Sequence, residues 1–198
     1  MEIKNNLIKK INESIIVKKS LLEQEKFILS ARDKIYQSIL KNKKIFFCGN
    51  GGSASDAQHL TAELLIRLRP NINRKSIAAI CLNMDTSTLT ACSNDYSFNY
   101  IFSRPLSALG QKHDILVVIS TSGNSKNILE ALKLAKQKKI FSIAFLGKKG
   151  GKAKILCDLP IIVESNITAR IQEAHIFLGH YILEGVETKL LKNKNFFI

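Results

Sequence analysis

Apolar residues over the first forty positions recur at helical spacing. Ile3, Leu7, Ile11 and Ile15, then Leu22, Ile28, Ile35 and Ile39, stand four or seven apart with one step of six, and no Gly or Pro interrupts residues 2–41. The pattern predicts a long amphipathic helical arm over residues 1–43. Its apolar face is larger than one sheet can cover, so helices of other subunits are its expected destination. From Lys44 the rhythm changes. Short apolar, β-prone runs at 44–48, 76–82, 114–120, 140–147 and 159–164 alternate with helical spacing. Helices are expected after Gly52, over 84–92, up to Gly110, over 128–137 and from Thr168 to Leu191. The run at 114–120, nearly continuous in branched residues, reads as a strand covered on both faces. The alternation predicts an α/β fold, a three-layer open parallel sheet of about five strands with helices on both sides, over residues 44–198.

Two turns in this pattern carry chemistry. The run at 44–48 passes directly into GNGGSASDAQHLTAE, where Gly49, Gly51 and Gly52 let the backbone approach a ligand closely. Ser53 or Ser55 is expected to cap the helix that follows, whose first amides form an anion site. A turn on, His59 and Glu63 stand at i and i+4 and project from one helix face. The run at 114–120 passes in the same way into TSGNS. Ser120, Thr121, Ser122 and Ser125, with free amides around Gly123, can surround a phosphate with neutral donors. Two such turns at the carboxyl ends of neighbouring parallel strands mark a ligand crevice. Between them Asn94 and Asp95 stand at a break before the next helix, Asp95 serving as pocket residue or as cap.

The closing helix carries Gln172, Glu173, His175 and His180. Gln172 and His175 are one turn apart. Gln172 and His180 are separated by about 12 Å of rise and roughly 80° of rotation. If both belong to one site, different subunits are expected to supply them.

Composition narrows the classes. The chain has 198 residues, 45% hydrophobic and 23% charged, as expected of one soluble domain. No run reaches the length of a membrane span and the N-terminus lacks a signal block, so a cytoplasmic protein is expected. Cys48, Cys81, Cys92 and Cys157 are scattered without a C-x-x-C pair and read as reduced thiols. The net charge of +14 would suit a polyanion partner. The lysines are spread along the chain and not interleaved with exposed aromatics, so no nucleic-acid binding is expected.

GNGGSASDAQH with the following Glu63, SNDYSFNYIFSRPL, ISTSGNSKN, GKKGGK and TARIQEAHIFLGH together resemble the sugar isomerase (SIS) domain family, with its flavodoxin-like sheet. Within it they are similar to the bacterial phosphoheptose isomerases, which convert sedoheptulose 7-phosphate to D-glycero-D-manno-heptose 7-phosphate. The resemblance spans residues 44–190. It implies that Ser120, Thr121, Ser122 and Ser125 hold the sugar phosphate and that Asn50, Gly51, Gly52, Ser53, Asn94, Asp95 and Gln172 line the sugar pocket. It implies proton transfer by Glu63 and His180, and zinc held by His59, Glu63, Gln172 and His180. It further implies a homotetramer joined through the N-terminal arm, active sites at subunit interfaces, and heptose supply to lipopolysaccharide or capsule. Ala169 departs from members that carry an acid at that position.

Two rivals are weighed. GNGGSA satisfies the dinucleotide pattern G-x-G-x-x-A, but the acid that pattern needs about 20 positions on is absent, Arg69 standing there instead. Some SIS proteins are regulators, one of which binds the bacterial replication initiator. Those tend to lack the Glu and His pair, which this chain retains.

Overall fold

The computed structural model describes residues 2–192 and Phe196. Helix α1 (Glu2–Ser20) leads through a 3₁₀ turn, Leu21–Gln24, into α2 (Glu25–Leu40). The arm expected to be continuous is thus divided. At the joint the Ser20 hydroxyl donates to the Val17 carbonyl at 2.8 Å, a local bond that competes with the helix ladder. The tighter turn buries Leu21 and leaves Leu22 outside.

Five strands follow, β1 (Ile45–Gly49), β2 (Ala79–Cys81), β3 (Ile115–Ser120), β4 (Phe141–Gly147) and β5 (Leu159–Val163). They form one all-parallel sheet in the order β2-β1-β3-β4-β5. This is the three-layer α/β architecture that the alternation predicts. The second strand is shorter than the run at 76–82, because the Ile77 amide donates to the Leu64 carbonyl and docks that segment on a helix end instead of the sheet.

The remaining helices are α3 (Gly52–Leu65), α4 (Thr86–Asp95), α5 (Ser103–Leu109), α6 (Lys126–Lys138), α7 (Ala153–Leu156) and α8 (Thr168–Leu190). Alternate residues of the strands enter opposite cores. Phe47, Val117, Ile119 and Phe145 pack with α2, α3 and α8. Phe46, Cys48, Leu116 and Val118 pack with α5 and α6. Cys48, Cys81 and Cys92 are buried and every cysteine is free, as the sequence implies.

The first core contains an imidazole. His175 on α8 is fully buried beside Phe145, and neither ring nitrogen has a hydrogen-bond partner among the described residues. Burial pushes its pKa down to about 4, the nearby Leu146 backbone opposing the shift. Between pH 6.5 and about 4 the unfolded chain therefore binds a proton that the folded chain refuses. Stability is complete above pH 6.5 and falls as the pH is lowered through that window. Denaturant titrations at pH 7 and 4.5 are expected to show a loss of about 2–3 kcal/mol from this group, absent in His175→Leu. Equal losses in both proteins would show that other groups govern the acid limb.

Candidate functional site

The strand order reverses between β1 and β3, which are neighbours, so the two turns that follow them flank a single crevice. Each turn is held from behind. After β1, the Asn83 side chain accepts from the Gly49 amide at 3.2 Å and donates to the Gly49 carbonyl at 2.8 Å. After β3, Ser120 Oγ accepts from the Gly123 amide at 3.1 Å and Ser122 Oγ accepts from the Asn124 amide at 3.2 Å. Gly123 has φ +62°, and a Cβ there would stand 2.0 Å from the Gly150 carbonyl oxygen. Only glycine permits both the left-handed backbone and that contact. The Gly150–Gly151 turn is thereby packed against the hydroxyl turn, and the Ala153 amide donates to the Gly123 carbonyl at 2.9 Å.

Asn50 and Asn127 join the two turns across the crevice. Each amide nitrogen donates to the other's oxygen, at 2.9 and 2.8 Å. Asn127, in the first turn of α6, was not singled out in the sequence. Nothing in a lone Asn after a serine turn announces a partner 77 residues away.

The capping expectation fails. Gly51 is the N-cap of α3 and no side chain caps the helix. Ser53 is buried because its Cβ side packs on Gly49, and its amide bonds the Asn50 carbonyl. Ser55 lies outward. The Ala54 amide is likewise turned back, onto the Gly51 carbonyl at 2.9 Å, so backbone carbonyls and not side chains close the first turn of α3.

On α3 and α8 a cluster forms within one chain. His59 Nε2 stands 2.8 Å from His180 Nε2 and 3.1 Å from Glu63 Oε1. One ligand atom from each of the three residues lies within 4.8 Å of the others. Gly179 makes this possible. A Cβ there would approach the Leu60 side chain to 2.6 Å, so its absence lets α8 lie close against α3. The three atoms crowd one point with a single carboxylate charge between them. Two imidazole nitrogens and a carboxylate oxygen are a donor set that fits zinc. One turn before His59, burial pushes the half-buried Asp56 carboxyl up, and the nearby imidazole works against that shift.

Subunit assembly is therefore not needed to bring Glu63 and His180 together; one copy of the chain does it. Gln172 does not join them. Its Nε2 would stand 2.5 Å from a Cβ on Gly52, which places it at the other end of α3, beside the glycine turn. Asn94 and Asp95 are exposed in the last turn of α4, the Asn94 amide donating to Asp95 at 2.9 Å, and Asp95 caps no following helix. Thr121 and Ser122 are half-buried, and Ser125 is the N-cap of α6 with no capping bond of its own.

A second arrangement that the sequence did not disclose fixes Glu63. Arg74 is buried and donates to the carbonyls of Glu63, Leu64 and Lys75 at 2.6, 3.0 and 3.0 Å. Its Nε also meets Glu187 of α8 at 2.7 Å, while Arg69 takes the other oxygen at 2.6 Å. A cation at the carboxyl end of α3 satisfies orphan carbonyls and faces the negative end of the helix dipole.

The SIS domain model matches residues 10–147 of the chain. The chain is 44% identical over 194 residues to the phosphoheptose isomerase of Clostridium acetobutylicum, the match covering 96% of this chain and 98% of that one. It is 53% identical over 150 residues to the phosphoheptose isomerase of Paramagnetospirillum magneticum, over 76% and 77% of the two chains. Among solved structures, the phosphoheptose isomerase of Neisseria gonorrhoeae superposes with a TM-score of 0.88 at 38% identity, covering 94% of this chain and 99% of that one. That of Francisella tularensis gives 0.89 at 32% identity, over 95% and 100%.

Proposed function

Because the chain belongs to the SIS domain family and within it to the phosphoheptose isomerases, we propose that it interconverts sedoheptulose 7-phosphate and D-glycero-D-manno-heptose 7-phosphate. The observation that carries the reading is the meeting of Glu63 with His180 across α3 and α8, α3 being the helix that opens at the crevice between β1 and β3. Moving the carbonyl from C2 to C1 takes a proton off C1 and delivers one to C2 through an enediolate. A second proton passes between the two oxygens. One carboxylate and one imidazole within ~3 Å of those atoms suffice, and they divide the carbon and oxygen exchanges between them. The hydroxyls of Ser120, Thr121, Ser122 and Ser125, with the amides at the start of α6, would bind the remote phosphate and so position the open chain. Asn50, Gly51, Gly52, Ser53, Asn94, Asp95 and Gln172 would face the sugar.

The residues that would hold a zinc ion are His59, Glu63 and His180, with Gln172 of a second copy as the fourth. Such an ion, when bound, supplies Lewis-acid polarisation of the substrate oxygens. A homotetramer is supported by the outer face of α1, where Ile3, Leu7, Ile8, Ile11, Ile15 and Ile16 are exposed. Phe177 and Tyr181, also exposed, flank His180 on α8, which suits active sites near subunit interfaces. No helix among the described residues is long and apolar enough to cross a membrane. The setting we propose is cytoplasmic, with the heptose passing to lipopolysaccharide or capsule. Residues 1–43 would be the assembly arm and residues 44–198 the SIS domain.

The direct test is turnover. Purified protein given sedoheptulose 7-phosphate, with and without zinc, is expected to form the aldose phosphate and, in deuterium oxide, to place solvent deuterium on carbon. No product under either condition would leave the regulator reading in its place.

A further inference from the structure

The end of the sheet opposite the crevice holds a cleft of about 420 Å³. Its floor includes Ile115 and Phe141, the first residues of β3 and β4, so it lies roughly 20 Å from the carboxyl strand ends and the hydroxyl turn that follows β3. Four lysines line it, Lys34 of α2 and Lys41 just past its end, Lys136 of α6 and Lys139 just past its end. His113 and Asp158 also face it. Asp158 is engaged, its Oδ2 accepting from the Ser142 amide at 2.7 Å and the Ser142 hydroxyl at 2.8 Å. Counting His113 as neutral, the cleft has a formal charge of +3.

The plain explanation is that lysines favour helix carboxyl ends. It does not cover the whole set: Lys41, Lys136 and Lys139 stand at helix carboxyl ends, but Lys34 is nearly two turns short of the end of α2. Lys139 has φ +57° and His113 has φ +73°. At such positions glycine is the residue the backbone favours, so each of these side chains is kept at a conformational cost of about 1 kcal/mol. The frame is also preformed. The His113 amide donates to the Lys139 carbonyl at 3.1 Å, and the Ser38 hydroxyl of α2 donates to the His113 carbonyl at 3.1 Å. Three segments distant in sequence are thus tied together around a concave, lysine-lined space. It is too small for a nucleic-acid duplex and the right size for a few phosphate groups.

We propose that this basal cleft is a binding site for a small oligophosphate anion, separate from the sugar phosphate site, with Lys41, Lys136 and Lys139 as its principal cationic groups. The ligand is recognised by adjacent phosphates, whether free or borne by a nucleotide.

The test is calorimetric titration of the full-length protein with sodium tripolyphosphate and, separately, with ADP at 0.15 M salt. Three proteins are compared: wild type, Lys136→Ala/Lys139→Gly, and Ser122→Ala. The double variant is expected to keep the wild-type melting temperature, since glycine relaxes the backbone at position 139, and to turn over substrate normally. Its tripolyphosphate affinity should fall at least tenfold, while Ser122→Ala binds as wild type does. ADP binding alongside tripolyphosphate identifies a nucleotide as the source; tripolyphosphate alone identifies a free oligophosphate. Equal affinity in the double variant, loss of binding in Ser122→Ala, or no binding by the wild type would each overturn the proposal. None of these results depends on the isomerase reaction.

Discussion

Glu63→Gln is expected to lower kcat with sedoheptulose 7-phosphate by about 10²–10⁴-fold, the usual contribution of one positioned acid–base group. KM should change little, because in the proposed site the hydroxyl turn and not this side chain holds the phosphate. Stability should hardly move. The only ion pair or side-chain hydrogen bond of the carboxylate among the described residues is with His59 at 3.1 Å, the imidazole about half exposed, and pairs of that kind contribute less than ~1 kcal/mol. The anchoring of Glu63 runs through its carbonyl, which Arg74 grips and which the substitution leaves in place. His180→Gln should lose activity to a similar extent while keeping its place on α8. Metal content measured on the same samples separates the two roles. A variant that keeps its zinc but loses kcat has lost proton transfer, and one that loses both has lost a ligand. Near-normal kcat in Glu63→Gln would remove the carboxylate from the reaction.

How much of this was legible depends on how local each signal is. The five strands and the placing of two phosphate-type turns side by side follow from apolar runs interrupted by Gly and Ser, a pattern written within a dozen residues. His59 and Glu63 are one turn apart, so their shared face is also a local fact. His180 is different. Helical spacing fixes its angle on α8 but says nothing about which helix α8 lies against. That is decided by Gly179, whose missing side chain admits Leu60. The expectation that different subunits supply Gln172 and His180 rests on the rise between them. The rise is real, and it puts Gln172 beside Gly52 while His180 reaches His59 in the same copy. Ser53 was misjudged as a cap for a related reason. The close pass of Gly49 over its backbone, visible only in three dimensions, buries it. Asn50 with Asn127, and Arg74 with Glu187, were invisible because each pair is more than 70 residues apart and composed of types that are usually solvated.

The Arg74–Glu187 pair is where fold and site are most tightly joined, and Glu187→Ala is expected to produce the largest stability loss in the molecule. Glu187 is 2% exposed and Arg74 3% exposed, so truncation leaves a buried guanidinium with three carbonyls and no counter-charge. Breaking such a pair from one side costs about 3–5 kcal/mol, roughly 10 °C in melting temperature for a chain of this length. Arg69 loses its carboxylate partner as well and keeps only the Thr188 hydroxyl at 3.2 Å, so the loop after α3 holds α8 more weakly at two points. Because Arg74 holds the Glu63 carbonyl, kcat should decline at temperatures where the variant is still folded, and hydrogen exchange should rise first at the end of α3. Glu187→Leu combined with Arg74→Met discriminates between causes. Replacing the whole pair by apolar groups removes the stranded charge and should recover most of the stability. It leaves the carbonyls of Glu63 and Leu64 without their donor, so activity should remain low. If the double variant recovers both stability and activity, the pair is only mortar between α3 and α8. If it recovers stability alone, Arg74 is a positioning residue that sets where the Glu63 carboxylate stands.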